Sequence, residues 1–147
     1  MSYGGQAVIE ASADAIVDVL TDVGALASWN PAFGTIEGAG SAAVGQEFRT
    51  RVRGLVPASI RFTAISAVEV RYELHAPGVR ERGVWRLRPS PAPESGTIVG
   101  HEFTHTGVVL AIMRRAFQSV ASWRLARLRQ EVMRRRAPQP RGFSRSS

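Results

Sequence analysis

The sequence contains no cysteine and no lysine. Without cysteine, the chain cannot form a disulfide, a thiolate nucleophile or a thiolate metal site. It also has no apolar run long enough to span a membrane, and residues 1–6 lack the basic start and apolar stretch of a signal peptide. We therefore expect a cytoplasmic protein with no transmembrane segment.

The charge is distributed unevenly, and all 19 basic residues are arginine. Up to residue 106 nine arginines accompany eleven acids, whereas from residue 107 onward ten arginines accompany a single acid, Glu131. Such a segment can serve as an interaction module that binds an anionic macromolecule. Blocks of charge are more often solvated faces, and on that basis we do not expect a nucleic-acid partner.

The length of 147 residues and the 44% hydrophobic content suit one domain. We place it at 1–136 and expect the tail, 137–147, to be disordered. The pattern predicts a strand at 3–11, a helix at 13–22, a short helical segment at 24–29 and a long helix at 108–136. It predicts strands at 46–53, 58–66, 68–76, 80–88 and 97–106, with an optional edge strand at 34–40. This order is typical of an α+β fold with helices on one side of an antiparallel sheet.

The N-terminal third contains the most specific signal. Ser12 is placed to cap a helix whose first turn carries Asp14, and a turn, Trp29-Asn30-Pro31, follows after a break at residues 22–24. This order resembles the START-like (SRPBCC) superfamily, which includes polyketide cyclase/dehydrase-like and Bet v 1-like proteins. The resemblance implies a helix-grip fold: a curved antiparallel sheet wrapped around a long C-terminal helix, with two short helices after the first strand. It also implies a cavity between sheet and helix, with Trp29 and Pro31 closing one end.

Period-two alternation assigns one face of each strand to the interior without reference to any family. The residues predicted to line the concave side are mostly apolar. They are Phe48, Thr50, Val52, Ile60, Phe62, Ala64, Val68, Val70, Tyr72, Leu74, Glu81, Gly83, Trp85 and Leu87. The opposite face alternates arginines with Glu47, Glu69 and Glu73, which suits cross-strand ion pairs. We interpret that convex face as solvated scaffold.

The strand at 97–106 allows two registers. Val99 and Phe103 favour an inward set that also contains His101 and His105, whereas Ile98 would allow the register that turns Glu102 and Thr104 inward. In the favoured register the two histidines lie about 13 Å apart along the strand. That is too far to share one ion, so we predict no metal site. We also expect no cofactor.

On the final helix one stripe contains an anomaly. The apolar positions that share the inward stripe are Leu110, Met113, Phe117, Val120, Ala121, Leu128 and Val132. Arg124 falls in the middle of it and Glu131 near its edge, while Arg115, Ser122 and Arg129 face water. Burying an unpaired guanidinium is costly. Arg124 must therefore pair with Glu81 or another inward acid, bind an anionic or carbonyl group of a ligand, or reach the sheet edge.

Apolar walls with a few polar groups are typical of a small-molecule site. The candidate ligand-binding residues are Trp29, Phe62, Tyr72, Glu81, Trp85, His101, Phe103, Phe117 and Arg124. With the resemblance, they favour a non-catalytic binder or carrier of a small hydrophobic molecule such as a lipid, a polyketide or an aromatic compound. The alternative is a cyclase or dehydratase in which Arg124 stabilises an enolate oxygen and His101 transfers a proton. The sequence leaves a homodimer open.

Overall fold

The computed structural model describes residues 2–30, 33–34, 36, 40–52, 56–91, 96–107 and 114–136. Six antiparallel strands form one sheet in the order β1-β6-β5-β4-β3-β2. They are β1 (Ser2–Ile9), β2 (Glu47–Val52), β3 (Val56–Ile65), β4 (Glu69–Ala76), β5 (Val79–Pro89) and β6 (Thr97–Thr106). The helices are α1 (Ala13–Thr21), α2 (Leu26–Trp29) and α3 (Val120–Arg136), with 3-10 turns at Val23–Ala25 and Arg114–Phe117. The predicted helix-grip architecture is confirmed.

The first helix begins where its capping signal predicts. Ser12 has extended backbone angles and its hydroxyl accepts a hydrogen bond from the N–H of Ala15 at 3.2 Å. Ile16, Val19 and Leu20 are buried against the sheet, and α2 follows after one 3-10 turn. Trp29 is the last residue of α2, and its side chain lies on the concave side, where it is 3% exposed.

The final helix begins later than predicted. Residues 108–113, and with them Leu110 and Met113, lie outside the described residues, but Arg114–Phe117 is a 3-10 turn and α3 starts only at Val120. The carbonyl of Ser119 accepts the N–H of Trp123 at 3.0 Å, as expected of a residue that caps a helix. The apolar periodicity alone did not show where α3 begins.

Alternation predicts the inward residues correctly, with two exceptions. A β-bulge between Phe62 and Ala64 shifts the register of β3, so that Ala64 pairs with the outward Arg71 and Ile65 with the inward Val70; the inward placement of Ala64 is therefore wrong. Phe48, Ile60, Phe62, Val70, Tyr72, Leu74, Glu81, Trp85, Leu87, Val99, His101, Phe103 and His105 are all buried. The favoured register of β6 is therefore confirmed, because Glu102 and Thr104 are exposed. The inward placement of Val68 is wrong. It is 64% exposed because the Ser66 hydroxyl and backbone bond to Glu69, forming a turn that ends the alternation before β4 begins.

Two predicted segments cannot be compared with the structure. The optional edge strand at 34–40 lies mostly outside the described residues, and the tail at 137–147 lies wholly outside them. Within the described residues, no helix is long and apolar enough to cross a membrane.

Candidate functional site: a buried polar cluster beside an aromatic cleft

Five polar side chains meet in the interior between the sheet and α3, and we call them the buried polar cluster: Tyr72, Glu81, His101, His105 and Arg124. Strands β4, β5 and β6 are neighbours in the sheet, so inward residues on them lie side by side. Arg124 reaches them from α3, on the face that also buries Ala121, Leu125 and Leu128.

Glu81 is the centre of this cluster. Its carboxylate accepts hydrogen bonds from Arg124 Nη1 at 2.6 Å, from the Tyr72 hydroxyl at 2.6 Å and from His105 Nε2 at 2.7 Å. The side chains of Arg124 and Glu81 are each 5% exposed. Of the three ways to accommodate Arg124 that its sequence position allows, the structure adopts the ion pair with Glu81.

The protonation states in the cluster follow from these contacts. Burial acts to raise the pKa of Glu81, but the charge of Arg124 and the hydrogen bonds that the carboxylate accepts outweigh it, and this pKa lies well below its ordinary value. Burial raises the pKa of Tyr72 well above its usual range, and the charge of Glu81 raises it further. At neutral pH the cluster therefore holds an ionised carboxylate, a guanidinium and a neutral phenol.

His101 is neutral and has a defined tautomer. Burial, together with the positive charge of Arg124, lowers the pKa of His101 to about 3. Its Nδ1 lies 3.3 Å from the carbonyl oxygen of Val84, which can only accept, so the ring proton sits on Nδ1. Nε2 is then free to accept from Arg124 Nη1 at 3.4 Å. The imidazole also stacks on the Trp85 ring, with centroids 3.7 Å apart.

Two phenylalanines, Phe103 and Phe117, pack against side chains of the cluster. The guanidinium carbon of Arg124 lies 4.7 Å from the centre of the Phe103 ring, a distance typical of a cation–π contact. Phe117 is half-buried and packs edge-on against His105, with centroids 4.6 Å apart. These aromatic contacts fix the rings and leave the cluster little freedom to rearrange.

A narrow cleft adjoins the cluster, and we call it the aromatic cleft. Its volume is about 20 Å³, and its walls are Leu20, Leu26, Trp29, Asn30, Phe33, Ile60, Phe62, Tyr72 and Trp85. Tyr72 belongs to both sites, because its ring lines the cleft while its hydroxyl lies in the cluster. Trp29 meets Trp85 edge to face, with centroids 6.1 Å apart. The site is thus an apolar end with aromatic walls joined to a charged end in which Arg124 is paired with Glu81.

A larger groove of about 750 Å³ lies on the surface, away from this site. It runs past Ser12, Val68 and Pro89, with Arg88 and Arg136 among its walls. None of the nine predicted ligand-binding residues lines it. Because it contains none of them, we place the candidate site at the cleft and the cluster.

Ion pairs cover the convex face and the outer side of α3. On the sheet, Glu73 pairs with Arg61 and Arg82 at 3.5 and 3.3 Å, and Arg86 pairs with Glu102 at 2.7 Å. On the helix, three outer arginines are paired with acids of the same domain: Arg129 with Glu10, Arg134 with Glu131, and Arg135 with Asp22. These arginines are therefore already engaged in intramolecular ion pairs.

Comparison with known proteins identifies the family. The family model described as polyketide cyclase / dehydrase and lipid transport matches residues 4–133. The chain belongs to this family. No curated protein sequence matches the chain.

Solved structures of the same fold are distant in sequence. The aromatase/cyclase Zhui from Streptomyces sp. R1128 shares 21% identity at a TM-score of 0.64, over 92% of this chain and 94% of that one. A START superfamily protein from Mycobacterium smegmatis shares 14% identity at a TM-score of 0.67, over 90% and 97%. A hypothetical protein from Helicobacter pylori shares 11% at 0.69, over 90% and 88%. At these identities the likeness shows the fold of the polyketide cyclase/dehydrase family and not the ligand.

The structure brings all nine predicted site residues to this family's concave interior. Trp29, Phe62, Tyr72 and Trp85 line the cleft, and Glu81, His101 and Arg124 lie in the cluster with Phe103 and Phe117 packed beside it. His105 was not predicted as a partner of Glu81, although its position four residues from His101 on one strand face could have shown it. Gly83 was predicted to face inward, but the need for glycine there was not: a Cβ atom would clash with Cζ of Tyr72.

Proposed function

We propose that the protein binds a small hydrophobic molecule without transforming it, with the apolar part of the ligand in the aromatic cleft. The observation that carries this proposal is the composition of the cleft wall, in which five of nine side chains are aromatic. Apolar walls with few polar groups are what small-molecule sites use to bury a ligand.

The cleft has to open for a ligand to enter. Its volume of about 20 Å³ fits about one water molecule, whereas pockets for small molecules usually measure about 300–1,000 Å³. The structure is therefore a closed form, and a ligand would select or induce a form in which α2 has shifted outward and Trp29 lines a wider cleft. Trp29 ends α2, a helix of only four residues, whereas Phe33 is held to β2 by a backbone bridge with Val52.

The state of the cluster favours binding over catalysis. A general acid or base works best with a pKa near the working pH. The pKa values of Glu81, Tyr72 and His101 are all displaced away from neutrality by burial and by their mutual contacts. These groups are suited to fixing the polar end of the interior rather than to exchanging protons.

A fluorescent ligand tests the proposal. Prodan, a neutral naphthalene ketone, should bind saturably at one site per chain, with a blue shift of its emission. Ile60→Phe, which fills the cleft from β3, should weaken binding at least tenfold. Val56→Phe makes a similar change on the same strand at a residue that is 41% exposed and should leave binding unchanged. Thermal melts establish that both variants fold; equal binding by the wild type and Ile60→Phe would overturn the proposal.

A second candidate, cyclase or dehydratase chemistry, is favoured by one observation. Arg124 Nη1 and His101 Nε2 converge to 3.4 Å inside the protein, as an enzyme that polarises a ketone and moves a proton requires. Turnover of a poly-β-ketone thioester that is lost in His101→Gln, with prodan affinity retained, would establish this candidate over the binder. Unchanged substrate after prolonged incubation would exclude it for that substrate class.

A further inference from the structure

The indole N–H of Trp29 is a buried donor without a partner. The side chain is 3% exposed, and its Nε1 atom makes no hydrogen bond within the described part of the chain. Leaving a buried donor unsatisfied costs free energy, and such groups in native proteins call for an explanation. Because an indole can only donate, the missing partner is a hydrogen-bond acceptor.

The other polar groups of the cleft wall are already engaged. The Tyr72 hydroxyl donates to Glu81 at 2.6 Å and accepts from Arg124 at 3.2 Å. Asn30, also buried, has an interaction of its own. Among the described residues that line the cleft, Trp29 therefore supplies the donor that is still unmet.

A single water is a poor partner for this donor. The cleft volume of about 20 Å³ would admit one water molecule. A buried water, however, usually needs two to four polar partners. With Tyr72 and Asn30 engaged elsewhere, the cleft offers a water little beyond the one indole N–H. An oxygen atom carried by a larger apolar molecule meets the same N–H and buries its remaining surface against the aromatic walls.

The residues that line the cleft indicate whether the missing acceptor is charged or neutral. None of the described residues that line the cleft is basic, and the nearby guanidinium of Arg124 is already paired with Glu81. A carboxylate or phosphate placed here would be a buried, unpaired anion, which is strongly unfavourable. The chemistry of the wall therefore selects a neutral oxygen.

We propose that the Trp29 indole N–H recognises a neutral carbonyl oxygen (ketone, aldehyde or ester) of the hydrophobic ligand. This inference rests on the proposed function and adds the chemical class of the ligand. It makes Trp29, already a candidate ligand-binding residue, the hydrogen-bond donor to the ligand, in addition to the structural role, closing one end of the cavity, that the family resemblance implies.

The test compares two probes that differ at one group: 2-acetylnaphthalene, a ketone, and 2-ethylnaphthalene, which has a methylene in place of the carbonyl. Their affinities are measured by equilibrium dialysis. The wild type should prefer the ketone by about tenfold, because the hydrocarbon leaves a buried donor unmet. Trp29→Phe keeps an aromatic ring without the N–H and should lose that preference. Trp123→Phe makes the same change at an indole that is 42% exposed and should keep it.

Each other outcome has a definite meaning. A preference for the ketone that survives in Trp29→Phe, or an equal loss of both probes in that variant, overturns the inference and leaves the proposed function intact. If the wild type binds neither probe, the proposed function falls and the inference with it. Should Trp29→Phe fail to fold, the indole resonances of the 15N-labelled wild type decide: the Trp29 N–H proton must lie further downfield with the ketone than with the hydrocarbon, as a new hydrogen bond requires, and any other pattern overturns the inference.

Discussion

The two faces of the sheet use the same residue types for opposite purposes. On the concave side, Arg124 and Glu81 meet at 2.6 Å with side chains that are each 5% exposed. On the convex side, Arg86 and Glu102 meet at 2.7 Å with side chains that are 52% and 63% exposed. The distances are almost equal, so the difference lies in the surrounding medium.

Burial decides what each pair does for the protein. An exposed pair stays solvated and contributes little, since water screens it and two long side chains must be held in place. A buried pair loses most of its hydration, and each partner then depends on the other. The concave cluster therefore fixes one arrangement of Tyr72, Glu81 and Arg124 beside the cleft, while the convex pairs stay hydrated.

The largest expected effect comes from breaking the buried pair. Glu81→Gln leaves the Arg124 guanidinium buried without a counter-charge and should lower the free energy of unfolding by about 3–5 kcal/mol. Urea denaturation at pH 7 measures this loss. The double variant Glu81→Leu/Arg124→Leu removes both charges and should be more stable than Glu81→Gln. If Glu81→Gln is as stable as the wild type, the cluster is not the electrostatic unit described above.

Acid should destabilise the protein through the same cluster. The pKa of His101 is about 6.5 in the unfolded chain and about 3 in the folded one, so between these values only the unfolded chain gains the proton. The free energy of unfolding should therefore fall as the pH decreases from 6.5. Below about 4.5, Glu81 adds to the loss, because its pKa is ordinary in the unfolded chain and strongly lowered in the folded one.

His101→Gln separates these two contributions. It removes the imidazole and should flatten the pH dependence between 6.5 and 4.5, while the loss below 4.5 remains. Urea unfolding at half-unit pH steps gives both curves. Parallel curves for the wild type and the variant above pH 4.5 would contradict a buried neutral His101.

A smaller effect is expected at Gly83, which faces the interior opposite Tyr72 in the β4–β5 pair. A Cβ atom there would lie 2.2 Å from Cζ of Tyr72, so Gly83→Ala must push the ring aside at a cost of about 1–3 kcal/mol. Gly100→Ala is the matched control, because its Cβ would meet nothing within 4 Å. Thermal melts should show a lower Tm for Gly83→Ala alone; equal melting temperatures would mean that the Tyr72 ring is not held against Gly83.

The smallest effect is expected on the convex face. Glu102→Gln breaks an exposed pair of normal geometry and should change the free energy of unfolding by at most about 1 kcal/mol. Adding salt should shrink that difference further. Urea denaturation at low and high ionic strength checks both statements, and a loss as large as that of Glu81→Gln would erase the contrast between the two faces.

Much of this contrast could be predicted from the sequence, because it depends on side-chain direction. Alternation along β4, β5 and β6 placed Tyr72, Glu81 and His101 on one face, and helical periodicity placed Arg124 opposite them. Because burying an unpaired guanidinium is costly, the sequence predicted three ways to accommodate Arg124, and the ion pair with Glu81 was one of them.

What could not be predicted depends on side-chain hydrogen bonds and on packing in three dimensions. The turn that exposes Val68 is closed by the Ser66 hydroxyl. The near absence of open space beside Trp29 arises from how five aromatic rings pack, which a one-dimensional pattern does not contain. The need for glycine at position 83 likewise depends on the exact path of the Tyr72 ring.

Photolabelling with benzophenone, itself a neutral hydrophobic ketone that inserts into neighbouring C–H bonds on irradiation, tests the central claim most directly. Peptide mass spectrometry of the labelled protein locates the contact. We expect the label on residues of the cleft wall, such as Leu26 and Ile60, and its loss in competition with 2-acetylnaphthalene. Labelling confined to the convex face, at Val84 or Ile98, or to the surface groove at Val68 and Pro89, would contradict a ligand site on the concave side.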